Sequence, residues 1–433
     1  MVRIIVINYD GGDVTLRCLD SLTRLDWPED RLEVVMVDNA SIDGLVWKVP
    51  RLYPRVRVVE SLENEGFARG NNLAMQDLAG VDVVCLLNND TYVEPGWLTE
   101  LVKPLFAEPN IGATCSKMLF TKTVVGVEID PGDSNVCLTN VRVDGVDSLH
   151  LCGFDERFDK SGLGAGSPTP QHWLTKPASV WIPIDESALP CTFSVEMFAP
   201  TPHEVTLRST TDTFGAFVQS TPSWVDCRMT AVARVVNNAG GGIFTGWGGG
   251  DIGFRELDLG QYDVASEPFS FCGGAVALKA DFLRQVGLFD PTYFLYYEDL
   301  DLAWRGRFHG WTYRYVPQSV VYHEHAFSSV EGSHFFNFWV DRNRRLTLIK
   351  NAPGKVALKA LVGAVVWGLR DAIFPVLRAV LRFRRPPFAH TRYRLRQLFS
   401  LLKATPSAVR ERRRLGKLGH VERTFARDWL IER

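Results

Sequence analysis

Three clusters in the chain carry side chains able to do chemistry. The first is Asn88-Asn89-Asp90, which closes the apolar run Val83-Val84-Cys85-Leu86-Leu87. Such a run reads as a buried strand of a parallel sheet, and the carboxyl ends of those strands are where these sheets place their ligand crevices. Asp90 there offers a carboxylate to a divalent cation, and Asn88 reaches the same ion or a bound sugar through its amide. An Asx turn leaving the strand explains the pentapeptide as well. The second cluster, Glu298-Asp299-Leu300-Asp301, holds more acid than a helix start needs. A carboxylate within hydrogen-bond reach of a bound alcohol accepts its proton; Asp301 is read as the cap or orienting member. The third, Tyr322-His323-Glu324-His325, puts a histidine at a strand end. Its neutral nitrogen suits a metal already held by Asp90, or a diphosphate, and spacing alone does not choose between His323 and His325.

The elements that must position these groups follow in order. Ile4 to Tyr9 reads as a strand, Val14, Leu16, Leu19 and Leu22 as the apolar face of a helix, and Leu32 to Val37 as a second strand. That is a parallel-sheet unit, extended by a third strand at Val56 to Val59. Asp38, at the end of the second strand, stands where a base or ribose is gripped, or caps the turn Asn39-Ala40-Ser41. Arg69, in Asn64-Glu65-Gly66-Phe67-Ala68-Arg69, is placed for a diphosphate or for a structural role. No GxGxxG leads from the opening strand into its helix and no GxxxxGK loop is present, which weighs against dehydrogenases and nucleotide hydrolases.

From about 122 to 229 the pattern changes to short alternating runs separated by Gly, Pro, Ser, Thr and Asp, which predicts an inserted all-β module of sandwich type. Trp173, Trp181 and Trp224 form either a sugar-stacking platform or core. A glycine-rich return follows, in which Trp247 and Asp251 are acceptor-facing candidates. Gly273-Gly274 beside a strand leave backbone open to a sugar or pyrophosphate.

With 433 residues the chain has room for two or three domains. Its net charge of -2 hides a polarity: residues 350–433 hold twenty Lys and Arg against five Asp and Glu. Apolar residues interleaved with that charge suit an interfacial helix on anionic lipid; packing on the core or between subunits is the alternative. No aromatic RNA-binding sheet motif or zinc module accompanies the charge, so nucleic acid is not expected. The eight cysteines include no CxxC pair and read as small core residues in a reducing compartment. No secretory signal is visible at the start, and no apolar run reaches the eighteen or so residues that span a bilayer. The nearest, Ala360 to Leu369, is ten residues long and lies between Lys359 and Arg370.

In chain order, Val6-Ile7-Asn8-Tyr9, Val37-Asp38-Asn39-Ala40-Ser41, Asn64-Glu65-Gly66-Phe67-Ala68, Leu87-Asn88-Asn89-Asp90, Gly273-Gly274-Ala275, Gly287-Leu288-Phe289-Asp290 and Tyr297-Glu298-Asp299-Leu300-Asp301-Leu302 resemble family 2 glycosyltransferases with the GT-A fold, especially bacterial rhamnosyltransferase-like enzymes of cell-surface glycan synthesis. The resemblance implies an α/β GT-A core carrying an inserted all-β sandwich-like domain and a helical basic C-terminal region. The divisions it suggests are 1–121 and 230–348 for the two halves of the core, 122–229 for the insertion and 349–433 for the tail. It implies Asp299 as inverting base, with Glu298 on acceptor hydroxyls or as the alternative base. A donor site would draw on Asn8, Asp38, Asn39, Arg69, Asn88 and Asn89. Mg²⁺ or Mn²⁺ would sit near Asp90 and His323, and Trp247, Asp251, Gly273 and Gly274 would face the acceptor. Asn88 stands where the family's first aspartate is expected, which thins the anionic metal site. The implied reaction moves a sugar, rhamnose from dTDP-rhamnose first, to a lipid-linked or polysaccharide hydroxyl at the cytoplasmic face of a membrane, by a peripheral enzyme for which a homo-oligomer is one option. Transfer of galactofuranose or another hexose from a UDP-sugar, nucleotidyl transfer, and non-catalytic carbohydrate binding are the other readings.

Overall fold

The protein, seen in a computed structural model, is described over residues 1–158, 171–324, 332–418 and 421–432. These fall into two compact units. One comprises 1–116, 240–250 and 266–432; the other comprises 117–239 and 251–265.

The first unit is built on a mixed sheet. Its path runs Val56–Glu60, Leu32–Asp38, Val2–Asn8, Val83–Asn88, Ala275–Lys279, Ile111–Phe120, Thr312–His323 and Thr91–Val93. The first four strands are mutually parallel, and Ala275–Lys279 turns the direction by pairing antiparallel with Val83–Asn88. Central parallel strands are covered on both faces, which is why they are apolar without alternation. Val83 to Leu87 are each at most 3% exposed, and burying each of these aliphatic side chains contributes about 2 kcal/mol before entropy is charged against it. The helix Asp13–Leu22 buries Val14, Leu19 and Leu22 of the face its spacing predicts, whereas Leu16 is half-buried and Cys18 joins the core instead. Register then brings three chemistry-bearing ends together: Asn8 lies opposite Asp38, and Ile7 opposite Asn88.

The basic C-terminal region folds as three helices within this unit, His334–Asn351, Gly354–Leu381 and Phe388–Gly416. Ser333 caps the first by accepting from the Phe336 amide. Gln397 donates to the carbonyls of Asn337 and Phe338, and Arg412 to that of Ala352, so the last helix is fastened to the first. The middle helix corrects the expectation drawn from apolar runs. It is 28 residues long with a mean hydropathy of 1.6 over an 18-residue window, long and apolar enough to cross a membrane, and 11% of that window is buried. A run count stops at Arg370-Asp371, whereas the helix carries apolar residues on both sides of that charged pair.

The second unit is the β-sandwich that the alternating runs predict. One sheet orders Gly153–Phe154, Ala178–Pro183, Val124–Asp130, His203–Arg208 and Thr213–Val218. The other orders His172–Leu174, Val136–Val143, Cys191–Phe198 and Ser223–Met229, with Val146–Asp147 added beside Val136–Val143. A single cluster of buried side chains draws on both, including Val127, Ile129, Val180 and Leu207 from one and Leu138, Val141, Phe193 and Val195 from the other. The three tryptophans do not form one platform. Trp181 lies in the first sheet against Gly153, while Trp173 packs on Phe198 and Trp224 on Arg142 in the second. None of the eight cysteines is joined in a disulfide.

Candidate active site

The carboxyl ends of the first parallel strands are organised by Asn8. Its side chain is fully buried, and its Nδ2 lies 3.1 Å from Oδ1 of Asp38, 2.9 Å from the Ser41 hydroxyl and 3.1 Å from Oδ2 of Asp43. Its Oδ1 accepts from the Gly11 amide and, at 2.8 Å, from the Thr15 hydroxyl. Asn89 in turn donates to Thr15 at 2.8 Å. Asn8 and Asn89 therefore clamp the loops around Asp38. Thr15, missed in the sequence because it lies inside a helix, links them. Gly11 is required at the crossing, since a Cβ there would stand 2.2 Å from the Thr15 oxygen and 2.3 Å from Nδ2 of Asn89. Asn39 fastens the neighbouring loop, donating to Asn64 and the Gly66 carbonyl and accepting from the Glu65 amide. Arg69 donates to the Pro291 carbonyl and pairs with Glu65, with half its side chain exposed.

The acidic cluster is presented by a turn in an unusual conformation. Tyr296 and Tyr297 take φ of 69° and 71°, left-handed values that bulky residues rarely adopt and that persist only when the surroundings impose them. Asn343 imposes them, donating to the carbonyls of Leu295 at 2.8 Å and Tyr296 at 2.9 Å. The helix Glu298–Phe308 then begins with its acids in the first turn, where the helix dipole favours negative charge.

Asp299 accepts from the Gly273 amide at 3.0 Å through Oδ2 and from the Leu300 amide at 2.7 Å through Oδ1. Burial raises its pKa above the ordinary carboxylate range, against the lowering effect of those backbone donors. Glu298 is 4% exposed, and its Oε2 has no hydrogen-bond partner among the described residues. Burial, and then the charge of Asp299, push it well above its usual value. Burial thus raises both members of the adjacent pair. Asp301 has a different role. It is fully buried and accepts from Arg305 at 2.9 Å, Lys350 at 2.8 Å and Asn351 at 2.8 Å. Lys350 also reaches Asp290 at 2.7 Å. Burial opposes the Asp290 charge, yet Lys350 holds its pKa down to about 2. Asp301 orients the helix, as its sequence position suggests. The residues that complete this network, Asn343, Lys350 and Asn351, come from a helix that reads in the sequence only as aromatic and basic.

Gly273-Gly274 joins the two ends. The Gly273 amide donates to Asp299, and the Gly274 carbonyl accepts from the Asn88 amide at 2.9 Å. A side chain at Gly273 would meet the Phe67 ring at 3.0 Å. Beyond Asn88, Oδ1 of Asp90 lies 3.0 Å from Nε2 of His323; both residues are buried, at 8% and 7% exposed. Strand pairing sets this contact by placing His323 opposite Thr91. Among the described residues no group of three or more His, Cys, Asp or Glu forms a metal cage. A carboxylate and an imidazole in contact, with Asn88 two residues from Asp90, fit a divalent ion that completes its shell with phosphate oxygens and water. His325 lies outside the described residues.

The acceptor candidates are placed differently. The Trp247 ring stacks nearly parallel on Trp304, centroids 6.4 Å apart, within an apolar cluster that includes Leu300. Asp251 belongs to the second unit, where its carboxylate accepts from Asn238 at 2.6 Å.

Residues 3–125 match the sequence profile of Glycosyl transferase family 2. That stretch spans the parallel half of the mixed sheet, which is accompanied by antiparallel sheets and a C-terminal helical region. Among solved structures, a mannosyltransferase of Pyrobaculum calidifontis in complex with GDP-Man and Mn²⁺ aligns over 94% of this chain and 86% of its own, at 17% identity and a TM-score of 0.40. S. aureus TarS 1-349 aligns over 96% and 86%, at 12% identity and 0.40. GalNAc-T7 with UDP, GalNAc and Mn²⁺ aligns over 94% and 57%, at 11% identity and 0.44. No curated protein matches the chain in sequence.

Proposed function

We propose that this chain, whose residues 3–125 match the Glycosyl transferase family 2 profile, transfers a sugar from a nucleotide-sugar donor to an acceptor hydroxyl with inversion, using Asp299 as the base. The observation that carries the reading is the pose of Asp299. It stands at a helix start fixed by a strained turn, and it is bonded to the same glycine pair that holds Asn88.

In the reaction the acceptor oxygen attacks the anomeric carbon as the bond from that carbon to the diphosphate oxygen breaks. The hydroxyl proton passes to the Asp299 carboxylate, and the nucleoside diphosphate leaves with the bonding pair. One displacement inverts the centre, so no covalent sugar-enzyme intermediate is needed. The raised pKa of Asp299 improves it as a base while backbone amides hold both of its oxygens in place. Asp38 is read as the contact to the nucleoside, with Asn8 fixing its rotamer. Asp90 and His323 would hold Mg²⁺ or Mn²⁺, which when bound neutralises charge on the diphosphate.

Rhamnose from dTDP-rhamnose is the favoured donor, on the likeness of the motifs alone; UDP-galactofuranose and other UDP-hexoses are the alternatives. A lipid-linked or polysaccharide acceptor is supported by the long apolar helix Gly354–Leu381, whose exposed Leu358, Val362, Val366, Leu369, Ile373 and Leu377 recur at helical spacing beside a basic segment. This reading makes the enzyme a peripheral one at a membrane surface.

A thermal-shift screen of the full chain against dTDP, UDP and GDP, with and without Mn²⁺, tests the donor side. Selective stabilisation by one nucleotide plus metal is expected. No response to any nucleotide, with an independent binding assay equally silent, would remove the transferase reading.

A further inference from the structure

The sandwich unit carries a hollow of its own. It measures about 390 Å³ and is lined by Arg142, Asp144, Thr192, Ser194, Trp224 and Asp226, all on one face of the second sheet or at its rim. Side chains alternate across a strand, so while Phe193 and Val195 enter the core, Thr192 and Ser194 point to the opposite face. Register lines up Arg142, Ser194 and Asp226 on three neighbouring strands, and Trp224 lies two residues before Asp226 on the same face. The rim is a tight hairpin, Asp144-Gly145, with both residues at positive φ. It is pinned to the sheet by the Thr192 amide, which donates to Asp144 at 2.8 Å.

The polar groups here are not consumed by the fold. Among the described residues the Arg142 guanidinium, the Ser194 hydroxyl and the Asp226 carboxylate make no hydrogen bond or ion pair with the protein, whereas neighbours such as Thr139 and Glu196 satisfy one another at 2.7 Å. Arg142 instead lies flat over the Trp224 ring, 4.1 Å from its centroid. Such a pairing is weak at an exposed site and is readily exchanged.

We propose that this hollow binds a neutral saccharide. A sugar ring has an apolar C–H face that packs on an indole, and around it hydroxyls that both donate and accept. Trp224 supplies the surface once Arg142 swings aside, Asp144 and Asp226 accept from hydroxyls, and Arg142, Ser194 and Thr192 donate to them. One cation against two carboxylates leaves the lining net negative, which selects against acidic sugars. The site lies wholly within the sandwich unit and needs neither nucleotide nor Asp299. Its loss is therefore separable from loss of transfer, and it gives the insertion a role in holding glycan.

The test is equilibrium binding of the full chain, without nucleotide, to the methyl glycosides of glucose, galactose, mannose and rhamnose, with glucuronate as the acidic control. The expected result is saturable binding of at least one neutral glycoside, weakened tenfold or more by Trp224→Ala and by Asp226→Lys and unchanged in Asp299→Asn. Asp226 is exposed, so its replacement tests the site without risk to the core. Absence of saturable binding by every neutral glycoside overturns the proposal. Binding that both hollow variants leave within twofold overturns it too, as does a preference for glucuronate.

Discussion

The amide of Gly273 donates to Oδ2 of Asp299 at 3.0 Å, and the next residue, Gly274, accepts from the amide of Asn88. Two glycines thus tie the carboxylate proposed as base to the strand end proposed to face the diphosphate. Any group larger than hydrogen at Gly273 presses on Phe67, so the spacing between the two halves of the reaction is set by backbone rather than by flexible side chains.

Burial sets the protonation of the adjacent Glu298. Because its folded pKa is raised, the unfolded chain gives up its proton first as pH rises, and stability falls until the folded pKa is passed. Glu298→Gln removes this cost. The variant should melt higher than the parent near pH 8, and the gain should vanish as pH falls below about 4, the ordinary glutamate range. Melting curves that differ equally at every pH would argue against a buried titrating carboxylate.

Lys350 is 1% exposed and serves two carboxylates. Removing one partner of a buried ionic group leaves charge uncompensated and costs about 3–5 kcal/mol. Lys350→Met should lower stability by that order in denaturant titration. It should also erase the acid limb owed to Asp290, whose lowered pKa gives stability present above its unfolded value near 4 and lost as pH falls through about 2.

Thr15 touches no ligand in this account, yet it bridges Asn8 and Asn89. In Thr15→Val the loop around Asp38 loosens while Asp299 keeps its partners. The donor KM should rise roughly tenfold with kcat little changed, the pattern of lost ground-state positioning. A fall in kcat at unchanged KM would place Thr15 in the chemistry instead.

The exposed stripe on Gly354–Leu381 predicts partition onto phosphatidylglycerol vesicles, weaker on neutral vesicles and at high salt. Replacing Val366, Ile373 and Leu377 together with serine should reduce it roughly tenfold or more, because their apolar area no longer leaves water. Parent protein that floats with neither kind of vesicle would contradict a membrane-facing tail.

The sequence shows much of the frame and less of the wiring. The parallel strands were legible because runs such as Val83 to Leu87 are buried on both faces, and the sandwich because its runs alternate between turns. Asp38, Asn88 and Asp299 were legible as strand-end or helix-start polar residues. The clamp role of Asn8 was not, because an amide at a strand end looks the same whether it bonds a ligand or its neighbours. Nor was the support from Asn343 and Lys350, which lie some fifty residues beyond the turn and helix they hold. Only the packing of the last helices brings them there. Trp247 is an acceptor-facing candidate by its place in a glycine-rich return, and its contact with Trp304 is set by packing that the sequence does not show.

The central claim is that Asp299 takes the acceptor proton, and Asp299→Asn tests it most directly when sugar transfer and nucleotide binding are measured on the same preparation. The amide keeps the shape but cannot take a proton, so transfer should fall by about 10²–10⁴-fold while nucleotide affinity stays close to the parent; one of the two backbone amides that Asp299 serves loses its acceptor, so a modest drop in melting temperature is expected. Transfer within a fewfold of the parent, on a folded and nucleotide-binding variant, would contradict the assignment and leave Glu298 as the remaining carboxylate at the helix start.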